Sequence, residues 1–190
     1  MQKKIILLLG VAASAALLFM LLPARDLKAS DAARTTPADG YTVHVTAPHN
    51  VNGHIIGPYH HFCKVMTSDP VIVCQIYDSD DPNGMLKQVE FIIAKKLTRS
   101  AVDLNDWNRL WHDHAVEIAT GRVQVLDLPP DKTKEVADLV AHTDGIIYSF
   151  EFNGNVPTGK IVMAQAVGHR PLTATEYEQS KKDALASAAH

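Results

Sequence analysis

A turn signal between two short apolar segments constrains the fold of this chain most. Residues 67–70 (Thr-Ser-Asp-Pro) favour a turn, and the segments 59–66 and 71–77 on either side are rich in β-branched and aromatic residues. This pattern predicts a β-hairpin. If residues 67–70 form its loop, Cys63 lies directly opposite Cys74, within the reach of a disulfide. A register shift by one residue would place the two sulfurs on opposite faces instead, so the sequence alone does not decide whether the disulfide forms.

Apolar periodicity elsewhere predicts further strands and a second hairpin. The strands are expected at residues 41–45, 86–94, 146–152 and 161–167. The second hairpin is expected from His114 to Val125, with Thr120-Gly121 at its turn. Glycines, prolines and asparagines between Ala47 and Pro58 predict a loop. The two histidines of that loop are interpreted as solvated: His49 and His54.

Helical signals are fewer and shorter. Asp103 is a good N-cap for a helix over residues 104–111, in which apolar residues recur at helical spacing. Asp131 is expected to cap a second helix over residues 132–142, and Gly145 is expected to end it. The chain is therefore predicted to be α+β, a single domain of mainly antiparallel sheet with hairpins and about three short helices.

The third helix is expected in the polar C-terminal residues 171–190. Thr173 and Glu176 have the spacing of a capping box, in which each side chain accepts a backbone hydrogen bond at the helix start. We expect residues 41–170 to form the folded domain and residues 33–40, which are small and polar, to form a spacer before it.

The N-terminus has the pattern of an export signal. Lys3 and Lys4 precede an apolar or small run from Ile5 to Leu22. Small residues near Ala32 fit a cleavage site, so residues 1–32 are predicted to be a signal peptide, with an uncleaved membrane anchor as the alternative because the apolar run is long. The expected location is periplasmic or secreted, or the inner membrane if the segment is retained. Only that segment would contact a membrane.

The charge pattern excludes one class of partner. The chain has a formal net charge of −3 and no run of basic residues. Proteins that bind nucleic acids present a basic surface to the phosphate backbone. We therefore predict no nucleic-acid partner.

Two stretches, residues 59–63 and 110–117, concentrate groups that bind metals. They hold four of the ten histidines and one of the two cysteines. Imidazole is a preferred ligand of zinc, and two histidines two residues apart on a strand can share one ion. Zinc or another divalent metal is therefore a candidate cofactor here, although no cofactor is fixed by the sequence. The candidate ligands are His60, His61, His112 and His114, with Glu90, Cys63 and Glu117 as further ligands or as their hydrogen-bond partners.

A purely structural role for the same histidines is the alternative interpretation. They would then hydrogen-bond to the backbone and to one another. Glu90, placed among apolar neighbours of its strand, would reach water at an edge, or be held by a donor, a cation or a metal. No stretch has the spacing of a strong motif such as His-Glu-x-x-His, so the set of ligands stays open.

Four motifs in order carry a family resemblance. They are His60-His61-Phe62-Cys63, Cys74-Gln75-Ile76-Tyr77-Asp78-Ser79, Val89-Glu90-Phe91-Ile92-Ile93, and Leu110-Trp111-His112-Asp113-His114 with Glu117 and Gly121. Over residues 41–168 the chain resembles the oil-body-associated proteins, a family long classed as a domain of unknown function. With its export signal, it is interpreted as a bacterial exported member. The resemblance implies association with lipid droplets or lipids. Because the plant relatives are cytosolic, it also implies thiol or ligand roles for Cys63 and Cys74 rather than a disulfide.

Two functions follow as expectations. The first is a non-catalytic domain that binds a lipid surface or a small apolar ligand. The alternative is a metal-dependent hydrolase of the zinc type, in which the histidine-bound metal activates water.

Overall fold

Period-two alternation of apolar residues gives this chain long antiparallel strands. The structure is a computed structural model that describes residues 36–186. The strands in this range are β1 (Val43–Val51), β2 (His54–Val65), β3 (Val71–Tyr77), β4 (Leu86–Ala94), β5 (Trp111–Asp113), β6 (Gln124–Leu126), β7 (Thr143–Asn153) and β8 (Val156–Ala166). The predicted signal peptide lies outside the described residues, as does the start of the predicted spacer.

Six of these strands close into a barrel. Their order is β2-β3-β4-β7-β8-β1, and β1 also pairs with β2, which joins the two ends of the sheet. The short strands β5 and β6 are not part of this ring. β5 pairs with β7, and β6 pairs with β1. The prediction of a mainly antiparallel sheet is confirmed. Its closure into a barrel was not predicted, because the pairing between β1 and β8 that completes the ring joins segments far apart in sequence.

The first predicted hairpin is confirmed in its register. β2 pairs with β3 so that Cys63 lies opposite Cys74, and the two cysteines form a disulfide with a Cα–Cα distance of 4.1 Å. Both side chains lie inside the barrel, in the same apolar core as Ile76 and Ile147. The thiol or ligand role implied by the resemblance is therefore wrong for Cys63, whose sulfur is consumed by the bond.

Five helices are present in the described range, where about three were predicted. They are α1 (Lys95–Ala101), α2 (Leu104–Leu110), α3 (His114–Ala119), α4 (Pro130–Ala141) and α5 (Ala174–Ala186). No helix among the described residues combines the length and the apolar character that crossing a membrane requires.

The second predicted hairpin, from His114 to Val125, is wrong. Its first half is helix α3, which begins because the Asp113 side chain accepts a hydrogen bond from the backbone N–H of Ala115. Its second half contains β6, which pairs with β1. In this helix Val116 is exposed while His114 is buried, so the alternation of His114, Val116 and Ile118 does not mark one buried face.

Two of the three predicted helix caps are confirmed. Asp103 accepts from the backbone N–H of Asp106 at 2.9 Å, and Thr173 with Glu176 forms the predicted capping box. Asp131 does not cap, because α4 starts one residue earlier at Pro130. Gly145 does not end that helix either. It lies inside β7, which starts immediately after α4.

Candidate metal centre

The interior of the barrel holds a carboxylate between two histidines. Glu90 points inward from β4 and is 2% exposed. His112 lies in β5, His114 is the first residue of α3, and the Nε2 atoms of both rings are 3.2 Å from Glu90 Oε1. The ligand atoms of these three residues all lie within 4.8 Å of one another. Glu90 does not reach an edge and water. Histidine donors hold it instead. This is the second environment that the sequence of its strand allowed, a carboxylate held by a donor.

Gly145 creates the space for this contact. It pairs with His112 across β5 and β7 and with Ile92 across β4 and β7. A Cβ at this position would lie 2.5 Å from His112 Nε2 and closer still to Glu90 Oε1. Since real side chains do not approach so closely, only glycine allows the carboxylate and the imidazole to meet here.

Glu117 brings a second carboxylate from one turn further along α3. Its Oε2 is 3.8 Å from His112 Nε2 and 4.0 Å from His114 Nε2, and its Oε1 is buried without a hydrogen-bond partner. Burial raises the pKa of Glu117 above its ordinary value, although the two histidines act in the opposite direction. His112 Nδ1 is also buried without a partner. An unsatisfied carboxylate oxygen and imidazole nitrogen mark a place where something remains to be bound.

Two further histidines approach Glu90 from the other side. His61 of β2 places its Nε2 3.8 Å from Glu90 Oε2, and His49 of β1 places its Nε2 3.1 Å from that of His61. His49 Nδ1 contacts Gln88 Oε1 at 2.5 Å. The interpretation of His49 as a solvated loop histidine is wrong: β1 continues to Val51, and its inward face buries this ring to 2% exposure. His54 is exposed, as expected.

His60 does not belong to this group. Alternate residues of a strand point to opposite faces, so His61 and His60 are on different sides of β2. His60 Nδ1 is instead 3.0 Å from His44 Nε2, and His44 Nδ1 is 2.6 Å from the exposed Asp127. The structure thus brings together four of the candidate ligands, namely His61, Glu90, His112 and His114, with Glu117 beside them. We refer to these five residues and His49 as the interior cluster.

The histidines in contact with Glu90 determine the direction of its pKa shift. Burial alone would raise the pKa of Glu90, but the hydrogen bonds from His112 and His114 outweigh it and hold the pKa well below its usual range. Burial alone would lower the pKa of His114, yet the Glu90 carboxylate raises it overall. The contact between the two residues therefore favours an ionised Glu90 and a protonated His114.

Hydrogen bonds at Nδ1 orient the rings of His114 and His61 so that their Nε2 atoms face Glu90. Thr143 Oγ1 donates its hydrogen to the Val140 carbonyl at 2.6 Å, so it accepts from His114 Nδ1 at 3.0 Å. His61 Nδ1 donates to the Tyr59 carbonyl at 3.0 Å. In the neutral form of each ring the Nε2 lone pair is then directed into the barrel, and in protonated His114 this nitrogen donates to Glu90. Metal-binding histidines are oriented in the same way, by a hydrogen bond at the nitrogen that does not bind the metal.

An apolar cavity adjoins the interior cluster. It has a volume of about 70 Å³ and lies between the barrel, α3 and α4. Glu90, His114, Glu117, His49 and His61 lie at its wall. The rest of the wall is apolar and includes Val45, Ile92, Val125, Val136 and Leu139. A ligand in this cavity would meet polar groups only where it reaches the cluster.

Fold and site together define a closed antiparallel barrel with a buried centre of histidines and carboxylates. Residues 35–186 match the family described as "Protein of unknown function (DUF1264)". The match covers most of the chain, and the chain belongs to this family. No solved structure matches it.

Plant proteins are among its relatives. The chain is 32% identical over 91 residues to oil body-associated protein 1B of Arabidopsis thaliana, a match that covers 48% of this chain and 36% of that protein. It is 39% identical over 62 residues to oil body-associated protein 2B of Zea mays, covering 33% of this chain and 24% of that protein. The chain thus matches only about a third or less of the length of these relatives. The resemblance read from the sequence motifs is confirmed at the level of the family.

Sequence reasoning missed two residues of the site, His49 and Gly145. The alternation of β1 continues past Ala47 to His49, with one irregularity in the pairing with β2, and that continuation was the available signal. Nothing local distinguishes Gly145 from a glycine that ends a helix, because its role depends on residues 33 and 55 positions away in the sequence.

Proposed function

We propose that this domain binds a divalent metal of the zinc type at Glu90, His112 and His114. One observation carries the proposal: two imidazole Nε2 atoms lie at the same 3.2 Å distance from one buried carboxylate oxygen. Zinc binds histidine nitrogen and carboxylate oxygen at about 2.0–2.2 Å, so ligand atoms around one ion are roughly 3–3.6 Å apart. The three side chains need only small movements to share an ion.

Charge balance supports the same conclusion. The metal-free centre compensates Glu90 with a proton on His114, whose pKa is raised by that carboxylate. A divalent ion can take the place of this proton and bind the nitrogen that carried it. Glu117, with a free buried oxygen at its carboxylate, is placed to become a further ligand or to accept a hydrogen bond from metal-bound water.

Metal analysis tests this proposal. The full-length chain is purified without chelators, dialysed against zinc and analysed by elemental mass spectrometry. We expect stoichiometric zinc in the wild type and its loss in His112→Ala and His114→Ala. His142→Ala is the matched control, because His142 is exposed at the end of α4 and its ring donates to the Asp138 carbonyl, away from the interior cluster. Wild-type protein that binds no zinc under these conditions would refute the proposal.

We further propose that the domain binds a small apolar ligand or a lipid, without catalysis. The apolar wall of the cavity beside the interior cluster supports this, and so do the names of the relatives as oil body-associated proteins. Binding of an apolar fluorescent probe to the full-length chain is the test. Val125→Phe, which fills the cavity, should weaken binding at least tenfold, whereas Val156→Phe on the exposed end of β8 should not. Equal binding by both variants would exclude the cavity as the site.

A metal-dependent hydrolase is the alternative to a binding protein. A metal held by three side chains keeps a position for water, and the neighbouring Glu117 could accept its proton. Hydrolysis of ester substrates that stops on zinc removal and returns with zinc would favour the enzyme. Zinc binding without turnover of such substrates would favour the binding protein.

Export to an oxidising compartment completes the proposal. The buried Cys63–Cys74 disulfide supports it, because such bonds persist mainly in exported proteins. Fractionation of expressing cells tests it, with the expected result that the chain is recovered outside the cytoplasm and shortened by about the predicted signal. Full-length chain confined to the cytoplasm would contradict export.

A further inference from the structure

Glu90 divides its two oxygens between two pairs of histidines. Oε1 faces the Nε2 atoms of His112 and His114 at 3.2 Å each, whereas Oε2 faces His61 Nε2 at 3.8 Å. His61 Nε2 in turn lies 3.1 Å from His49 Nε2. His61 is not part of the group of ligand atoms that lie within 4.8 Å of one another around Oε1. The two pairs of histidines are therefore separate, and the carboxylate lies between them.

The second pair has lone pairs directed at each other. His61 donates its Nδ1 hydrogen to the Tyr59 carbonyl, and His49 Nδ1 lies against the Oε1 atom of Gln88, which accepts it. Each neutral ring then presents an unprotonated Nε2. Two acceptors 3.1 Å apart in a buried space repel each other unless a cation lies between them.

Both rings are 2% exposed. Two neutral imidazoles with converging Nε2 atoms and a carboxylate oxygen nearby are a ligand set suited to zinc or cobalt.

We propose that His49, His61 and Glu90 Oε2 hold a second divalent metal ion, with Glu90 bridging it to the first. This inference rests on the proposed metal centre at His112 and His114. An ion bound at about 2.1 Å from two nitrogens allows them to be as much as 4.2 Å apart, so the observed 3.1 Å separation fits. Metal ions bridged in this way in two-metal sites lie about 3.5–4 Å apart.

The second ion would be the one that meets a ligand. His49, His61 and Glu90 all line the apolar cavity, whereas His112 does not. Three protein ligands leave at least one coordination position for a ligand in the cavity that all three residues line. The cavity would therefore admit a small molecule whose one oxygen or nitrogen donor binds the metal and whose remaining surface is apolar.

Metal stoichiometry tests the inference separately from the proposed function. The full-length chain is equilibrated with zinc by dialysis, and zinc per chain is measured for the wild type, His49→Ala and the control His54→Ala, whose ring is exposed. We expect two zinc ions per chain in the wild type and the control, and one in His49→Ala. One ion in all three proteins would overturn the second position and keep the first. No ion in the wild type would overturn both.

A measurement on the wild type alone covers the case in which His49→Ala does not fold. Crystals of the zinc-loaded chain should show two anomalous peaks about 3.5–4 Å apart on either side of Glu90. A single peak beside His112 and His114 would show that the Gln88 amide has the opposite orientation. Gln88 would then donate to His49 Nδ1 and His49 to His61, a chain of hydrogen bonds that needs no metal.

Discussion

Two buried groups of charges meet at neighbouring residues of β7, and they differ in how completely they are satisfied. The first, which we name the arginine cluster, consists of Arg99, Asp113 and Asp144. Arg99 binds both carboxylate oxygens of Asp144, at 2.8 and 2.7 Å, and its Nη1 donates to Ser180 at 2.7 Å. The interior cluster packs against the next residue, Gly145, and leaves polar atoms of His112 and Glu117 without partners.

The satisfied arginine cluster stabilises the fold, whereas the unsatisfied interior cluster is the candidate binding site. In the arginine cluster every charge has its counter-charge, and the guanidinium also packs over the Trp107 ring at 4.2 Å, so nothing remains for a ligand. In the interior cluster the histidines and carboxylates present more lone pairs than hydrogens. Under the proposed function a bound metal ion makes up this deficit, since unsatisfied buried groups otherwise destabilise a fold.

The largest effect is expected from breaking the arginine cluster. Arg99→Met leaves Asp144 charged and buried without its partner, which should lower the free energy of unfolding by about 3–5 kcal/mol. Chemical denaturation followed by circular dichroism measures this. The control is Arg109→Met, whose exposed pair with Asp106 should contribute less than about 1 kcal/mol. If the two variants lost equal stability, the arginine cluster would not be the structural element described here.

Zinc should stabilise the interior cluster in a pH-dependent way. The folded pKa of His114 lies above its ordinary 6.5, so the stabilisation from its proton is complete below pH 6.5 and is lost as pH rises through the folded pKa. In the proposed centre, zinc takes the place of this proton. Its apparent affinity should therefore rise at least about tenfold per pH unit up to the folded pKa of His114 and then level off.

Thermal unfolding with and without zinc measures that dependence. At a zinc concentration 100 times the dissociation constant, the gain in stability should be about 2.7 kcal/mol. Acid acts through Glu90 as well: its folded pKa is lowered, so the stability it contributes is lost as pH falls through that value. Zinc affinity that stayed constant across this pH range would contradict the assignment of His114 as a ligand.

Gly145→Ala should affect the interior cluster more than the fold. The added Cβ collides with Glu90 Oε1 and His112 Nε2, which should abolish stoichiometric zinc binding and cost about 1–3 kcal/mol through overpacking. Gly121→Ala is the control. Its φ of 66° disfavours alanine, but no atom lies within 4 Å of the new Cβ, so it should lose stability and keep zinc. Zinc retention in Gly145→Ala would show that the contact can relax.

The smallest effect is expected at the helix between the two clusters. α2 carries Trp107 toward Arg99 and leads directly into His112, and Asp103 caps its first turn. Asp103→Ala should lower the free energy of unfolding by about 1 kcal/mol and leave zinc stoichiometry unchanged. Asp131→Ala, at a position that makes no cap, should change stability by only a few tenths of that amount. Denaturant titration distinguishes the two.

Local sequence patterns are enough to predict several elements of this protein. The turn at residues 67–70 set the register of β2 and β3 and hence the opposition of Cys63 and Cys74, and the side chain of Asp103 set the start of α2. Each depends on residues close together in the chain, whose turn chemistry and hydrogen bonds act before any tertiary contact forms. The stretches 59–63 and 110–117 likewise contain His61, His112, His114 and Glu117.

Only the tertiary structure decided which of these residues meet. Closure of the barrel turned His61 inward and His60 outward, carried His49 to His61, and placed Gly145 against Glu90. These contacts join segments separated by 12 to 55 positions in the sequence, and the pairing that creates them is selected by burying the inward faces of six strands together. Local patterns identify which residues can bind a metal, whereas the closed sheet decides which of them share one.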